Sequence, residues 1–327
     1  MKSIRLVVSF ALVAVSVGGA LAAQSSKTDF PNRPLRYIVP FPPGGSADPV
    51  ARIMATAMSE SLGKQIVVDN RPGAAGTVGA EIAAQAAPDG YTLFACNIAS
   101  LAISPALYKK LNYDPVNGFA PIGLVGSTAN ALAIHPSVPA TTTAEFIAYA
   151  KTRPGKINYS SAGVGTSPQL SMEMFRMNAG IDLVHVPYKG AGPALVGLLG
   201  GHVEAMFSTV PTYLGAFRSG RVRLLGVTSK TRHPDVPDVP TLDESGMPGF
   251  EVISWQALCT PAGVPNAVLA RIRDAFSAAL AVPETKKQLA DAGMQPTPLM
   301  AEKFAAFVRA EHAKWAKVVK DVGINPQ

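Results

Sequence analysis

Short apolar runs suited to strands alternate with longer runs suited to helices along nearly the whole of this 327-residue chain. Strand-like segments fall at 37–40, 66–69, 92–96, 122–125, 131–135, 184–186, 205–208 and 224–228, with further runs at 157–160 and 255–260. Helix-like segments fall at 47–62, 78–87, 143–152, 168–178, 192–199, 264–281, 284–292 and 301–322. Such alternation predicts an α/β protein with mainly parallel sheets, because parallel strands need crossover connections that helices supply. In the last helix Phe304, Phe307, Val308, Trp315 and Val318 recur at a spacing that puts them on one face, toward a core. The proline-rich stretch 233–248 reads as a long ordered surface loop, since its prolines stiffen it.

The N-terminus reads differently. Lys2 and Arg5 precede an apolar run from Leu6 to Val17, and Ala20-Leu21-Ala22 offers small residues for cleavage. This predicts an export signal over residues 1–23, cut near 22–23, and a periplasmic mature protein. The run is too short and too soon followed by polar residues to be a spanning helix. The net charge of +7 falls to +5 once Lys2 and Arg5 are removed. The remaining basic residues are scattered, which argues against nucleic acid and leaves room for an anionic small ligand. Cys96 and Cys259 both lie in apolar strand-like runs. Export permits a disulfide between them, but the reading favoured here is two small buried hydrophobes. The five histidines have no ligand-like spacing, and no metal site is expected.

Two glycine-rich loops carry the functional signal. Phe41-Pro42-Pro43-Gly44-Gly45-Ser46-Ala47-Asp48 joins a strand to a helix, and Ser161-Ala162-Gly163-Val164-Gly165-Thr166-Ser167 does the same ahead of Pro168. Glycines between a strand and a helix leave backbone N–H groups free to face an anion, and the helix N-terminus adds partial positive charge. Two such loops facing each other across a cleft would hold a carboxylate without a charged side chain. Asp48 has two readings: a contact to a ligand amine or water, or an acid that favours the start of its helix.

These phrases, with others, resemble a known family. Phe30-Pro31-Asn32-Arg33-Pro34, Ile38-Val39-Pro40-Phe41-Pro42-Pro43-Gly44-Gly45, Val67-Val68-Asp69-Asn70-Arg71-Pro72-Gly73-Ala74-Ala75-Gly76 and Pro88-Asp89-Gly90-Tyr91-Thr92-Leu93 occur in order. Val186-Pro187-Tyr188-Lys189-Gly190, Pro237-Asp238-Val239-Pro240-Thr241 and Pro261-Ala262-Gly263-Val264-Pro265 follow. The chain resembles, over roughly 28–325, the extracytoplasmic solute receptors of the tripartite tricarboxylate transporter type, often called Bug or TctC proteins. The resemblance implies a type II periplasmic binding protein fold, with two α/β domains and a ligand cleft between them. Domain 1 would be 27–128 plus 229–327 and domain 2 would be 129–228, with crossing strands near 129–135 and 223–228. It further implies a small carboxylate ligand held with bound water, no cofactor, and a monomer that works with membrane transporter subunits or a sensor ectodomain. Carried over residue by residue, the first loop gives Phe41, Gly44, Gly45, Ser46 and Asp48. Ala75, Gly76, Thr77 and Asn97 complete the domain 1 side. Domain 2 gives Ser161, Gly163, Gly165, Thr166 and Ser167, with Phe207 and Ser208 closing the far side. Two departures stand out: Gln169 where relatives often carry histidine, and Glu204 after Val203 where they often carry aspartate.

An enzyme is the weaker alternative. There is no GxSxG elbow and no GxxxxGK[ST] loop, and Gly163-Val164-Gly165 lacks the third glycine of a dinucleotide fingerprint. A ligand-dependent sensor partner of a two-component system is a further alternative to transport.

Overall fold

The computed structural model describes residues 29–296 and 299–321. The expected export signal therefore lies outside the described residues. Three parallel strands, β1 (Leu35–Val39), β2 (Ile66–Asn70) and β3 (Thr92–Asn97), begin the chain. The long strand β4 (Phe119–Ile134) follows. A second parallel set comprises β5 (Asn158–Ser161), β6 (Val184–Pro187) and β7 (Ala205–Thr209). β8 (Arg223–Val227) and β9 (Ile253–Pro261) complete the strands. The sheet order is β2-β1-β3-β9-β4-β7-β5-β6, with β8 paired to β4.

β4 is the structural spine. Its first part, Phe119 to Ala129, pairs antiparallel with β9. Its second part, Asn130 to Ile134, pairs antiparallel with β7 and β8. One strand thus belongs to two sheets and joins two α/β halves. The sequence reading split it into two strands at 122–125 and 131–135. Of the polar residues between them, Thr128 is β-branched and suits a strand, whereas Ser127 and Asn130 do not favour one and are held there by pairing with the neighbouring strands. The parallel expectation holds within each half, while the strands at the centre are antiparallel.

Side-chain parity along these strands sorts the core into layers. Tyr37, Leu93 and Ala95 face one cluster with helix α1 (Ala47–Leu62), where Val50, Ala51, Met54, Met58 and Leu62 recur every three or four residues. Burying each of the larger of these contributes about 1.5–3 kcal/mol. The helix stops at Gly63, whose left-handed φ of 68° an L-residue adopts poorly. Ile38, Phe94 and Cys96 face the opposite layer, with Trp255 and the last helix. That helix buries Phe304, Val308, Trp315 and Val319, while Phe307 and Val318 lie at its margin. Glu311 accepts from both indole N–H groups, Trp255 at 3.1 Å and Trp315 at 3.2 Å, tying the helix to β9. In the second half, Ala131, Ala133, Met206 and Tyr213 form a separate cluster.

Three features differ from the reading favoured in the sequence. The two cysteines are joined as Cys96–Cys259, with Cα atoms 6.0 Å apart. β3 and β9 are hydrogen-bonded neighbours, which brings residues 163 positions apart in sequence side by side. Helix Val210–Arg218 lay hidden behind a mixed polar and apolar pattern. The stretch 233–248 was expected to be an ordered surface loop, yet much of it is interior: Val236, Val239, Leu242 and Met247 are buried, as is Phe250 just after it. Its backbone continues the second half, because Val227 donates to Pro240 and Leu242 donates to Val227.

Candidate functional site

The carboxyl ends of the strands in both halves converge on a cleft with two adjoining chambers. The inner one is a cavity of about 60 Å³, lined from Gly45-Ser46, Asn97-Ile98-Ala99, Thr166-Ser167-Pro168, Gly190-Ala191, Ser208-Thr209 and Ser254 with Gln256. The outer one is about 600 Å³, bounded by the 72–76 loop, Tyr108, Gly163-Val164 and Tyr188-Lys189. Phe41, Pro42, Ala162 and Gly190 border both.

The inner lining contains no charged side chain. What it contains is helix beginnings. Helix α1 starts after Ser46, and α5 (Ser167–Ala179) starts after Thr166. Helix α6 (Ala191–Leu199) starts after Gly190, and α7 (Val210–Arg218) starts after Thr209. None of the four has its first turn closed by a capping side chain. Each first turn leaves backbone N–H groups without intrahelical partners and adds partial positive charge at the chamber wall. The exceptions are Pro49, Pro168, Pro193 and Pro211, which carry no N–H, and Asp48, whose N–H donates to Gly45 O. A fifth beginning, the π-helical turn Ala99–Ile103, is treated differently. There Asn97 Oδ1 accepts from the N–H groups of Ala99 at 2.9 Å and Ser100 at 3.1 Å. Asn97 Nδ2 in turn donates to Ala95 O at 3.3 Å. Asn97 therefore borders the chamber with its amide engaged by its own chain.

The first loop is shaped by Asp48. Its carboxylate accepts from Gly44 N at 3.3 Å, from Arg52 Nε and Nη2 at 3.0 Å, and from Asn70 Nδ2 at 2.9 Å. Asn70 Nδ2 also donates to Phe41 O at 3.0 Å. Burial alone would raise the Asp48 pKa; the hydrogen bonds from Arg52, Asn70 and Gly44 outweigh it and hold the carboxyl below the usual range. Gly44 needs its positive φ of 77° for the turn. It borders a neighbouring pocket together with Gly45 and Ser46, and only the latter two also reach the inner chamber.

The second loop is held from below. Ser161 Oγ lies 2.7 Å from His185 Nε2 and accepts from Gly163 N at 3.2 Å. Thr166 Oγ1 donates to Gly163 O at 2.7 Å. Gln169 Oε1 accepts from Gly165 N at 2.8 Å, so the residue that departs from the usual histidine ties the loop to α5. Gly165 is where the halves meet: a Cβ there would stand 3.1 Å from Ala75 Cβ and 3.2 Å from Leu107 Cδ1. Ala74 and Ala75 both have positive φ, at 43° and 54°, a conformation costing roughly 1–3 kcal/mol per non-glycine residue. Strain of that size on the rim of a cleft is characteristic of a shaped binding loop.

Of the residues singled out from sequence, Phe41, Gly45, Ser46, Asn97, Thr166, Ser167 and Ser208 border the inner chamber. Ala75, Gly76 and Gly163 border the outer one. Thr77 opens helix Thr77–Ala84 behind the rim, and Ser161, Gly165 and Asp48 support the loops from within. Phe207 is elsewhere: fully buried, it packs edge-on to Phe175 and parallel to Phe250 in the core. Strand parity gives the cleft to Ser208 instead. Sequence reasoning missed Ser254 and Gln256, which lie on β9 beyond any glycine motif. Their signal was the alternation of Ser254 and Gln256 with apolar Ile253, Trp255 and Ala257.

Comparison with known proteins bears on this geometry. Residues 50–324 match the profile of the TctC family, described as the tripartite tricarboxylate transporter family receptor. The chain is 34% identical over 324 residues to the protein BugT of Bordetella pertussis, covering 99% of each. It also resembles two solved Rhodopseudomonas palustris structures, each at 33% identity. One, with adipate, superposes with a TM-score of 0.88, covering 91% of this chain and all of the other. MatC with bound malate superposes at 0.82, covering 89% and all of the other. Fold, cleft and sequence agree that the chain belongs to the tripartite tricarboxylate transporter receptor family and has the two-domain α/β fold of periplasmic binding proteins.

Proposed function

We propose that this protein is a periplasmic receptor that captures a small carboxylate between its two halves and delivers it to a tripartite membrane transporter. The observation that carries the reading is the inner chamber, where four uncapped helix N-termini converge and no charged side chain intrudes. Backbone N–H groups at helix starts stabilise an anion without the desolvation penalty of burying a lysine or arginine beside it. The malate and adipate in the two solved relatives support a carboxylate here.

The proposed halves are those expected from sequence, 27–128 with 229–327 and 129–228, except that 229–252 is assigned to the second half to which it is hydrogen-bonded, with the hinge where β4 passes from β9 to β7 and β8. A ligand bridging both sets of helix ends binds the closed arrangement better and shifts the population toward it. No covalent step is proposed. Among the described residues, Ser161 is the one serine paired with a histidine near the cleft; it is buried beneath its loop and borders neither chamber. Export would place the receptor outside the cytoplasm, and among the described residues no helix is long and apolar enough to cross a membrane.

The test is the thermal midpoint of the purified mature protein against a panel of carboxylic acids, amines and neutral sugars. Ligand at a hundredfold its Kd stabilises the native state by about 2.7 kcal/mol. The expected result is a saturable rise with at least one acid and none with amines or sugars. A rise confined to neutral or cationic compounds would overturn the reading.

A further inference from the structure

The polar side chains of the inner chamber divide by whether the protein already engages them. Asn97 caps the π-helical turn, Thr166 donates to Gly163 O, and Ser208 Oγ donates to Thr212 Oγ1 at 3.1 Å. Ser46 and Ser167, at helix starts, make no side-chain hydrogen bond within the protein. Neither do Ser254 and Gln256, which are only 7% and 9% exposed and lie on the strand wall. They are two residues apart on β9 and so share a face. Gln256 stands directly across from Asn97, and Ser254 directly across from Thr128, whose own buried hydroxyl also lacks a partner. The polar atoms of Ser254 and Gln256 are open to the chamber rather than sealed in the core, and a polar side chain without a protein partner at a cavity wall is met by water or by what the cavity binds.

The geometry points to Gln256 and Ser254 as the specificity-determining pair of this receptor, holding an uncharged hydroxyl on the carbon beside the bound carboxylate. The preferred ligand is therefore a hydroxy acid. This rests on the receptor reading above. A primary amide and a hydroxyl together offer both donors and acceptors, which a ligand hydroxyl satisfies in both directions. A second carboxylate at this spot could accept from the Gln256 amide and the Ser254 hydroxyl, but it would leave the amide oxygen without a donor and set a second anion beside the first with no cation in the lining. A methylene would leave both side chains unmet. The cavity of about 60 Å³ has room for a carboxylate and the few atoms next to it, while the larger outer chamber receives the remainder of the ligand.

Titration calorimetry with three matched pairs tests the assignment: lactate and propionate, malate and succinate, mandelate and phenylacetate. In the native protein, the hydroxy member of any binding pair should bind more tightly than its deoxy partner by about tenfold or more, since the partner leaves buried polar groups unpaired. Gln256→Leu should erase that preference by weakening the hydroxy acid while leaving the deoxy acid within about twofold. Gln256→Asn, which keeps the amide, should retain part of the preference, and the ligand-free thermal midpoints of both variants verify that they fold. Equal binding of the pair members by the native protein, or an equal loss for both in Gln256→Leu, would overturn the assignment while leaving the receptor reading intact. Binding of none of the six acids, by a protein whose thermal midpoint rises with a carboxylic acid that bears no such hydroxyl, would likewise overturn the assignment alone; a midpoint that rises only with neutral or cationic compounds would overturn both.

Discussion

Asp48 shows how a charged residue serves a neutral site. All four of its donors come from the protein itself, and they lock the first glycine loop to α1 and β2. Asp48→Asn should lower stability at neutral pH by about 1–3 kcal/mol, because a buried, charge-assisted cluster loses its acceptor. The pH dependence has a definite sign. The folded Asp48 has a depressed pKa, so its contribution is fully present above the ordinary carboxylate range. It disappears as pH falls through the folded value, and the native and Asp48→Asn midpoints should converge there. Thermal unfolding of the two proteins between neutral pH and strongly acidic pH measures this; a gap that persists unchanged in acid would contradict it. The sequence left Asp48 with two readings because a residue in the first turn of a helix can face its own loop or the cleft. Only the position of Asn70, brought alongside by β2, decides which donors it meets.

At the level of elements, the sequence shows local units well and their lateral neighbours poorly. Glycine loops followed by helices were legible because turn and helix-start chemistry is local. The continuity of β4 was not, since a polar interval inside an apolar run looks like a loop until two partner sheets are present to pair it. Nor was the parity of β7, where Ala205, Met206 and Phe207 are all apolar and only the core decides which faces inward. The disulfide belongs here too, because it depends on β3 lying beside β9. Cys96–Cys259 closes a chain segment with a sequence separation of 163 residues, so it restricts the unfolded state strongly. Reduction should lower stability by about 2–5 kcal/mol. Denaturant unfolding with and without a reductant checks this, with Cys96→Ala combined with Cys259→Ala as the control that reductant should not affect. No change on reduction of the native protein would contradict it.

The whole molecule is two α/β halves that share β4, with helix beginnings from both converging on one uncharged chamber. The alternation of strands and helices announced the class, and the repeated strand, glycine loop and helix start pointed to the loops that border the candidate site. What lay beyond reach was the β9 wall, because nothing local says that a strand near residue 255 returns between β3 and β4. The central claim is that the chamber recognises an anion through backbone ends rather than through a charged side chain. Titration calorimetry of the mature protein with its best-binding acid, and with the primary amide of that same acid, tests this most directly. The expected result is one saturable site for the acid and at least a hundredfold weaker binding of the amide, about 2.7 kcal/mol apart. Equal affinity for acid and amide would show that the converging helix ends do not select charge, and would contradict the account.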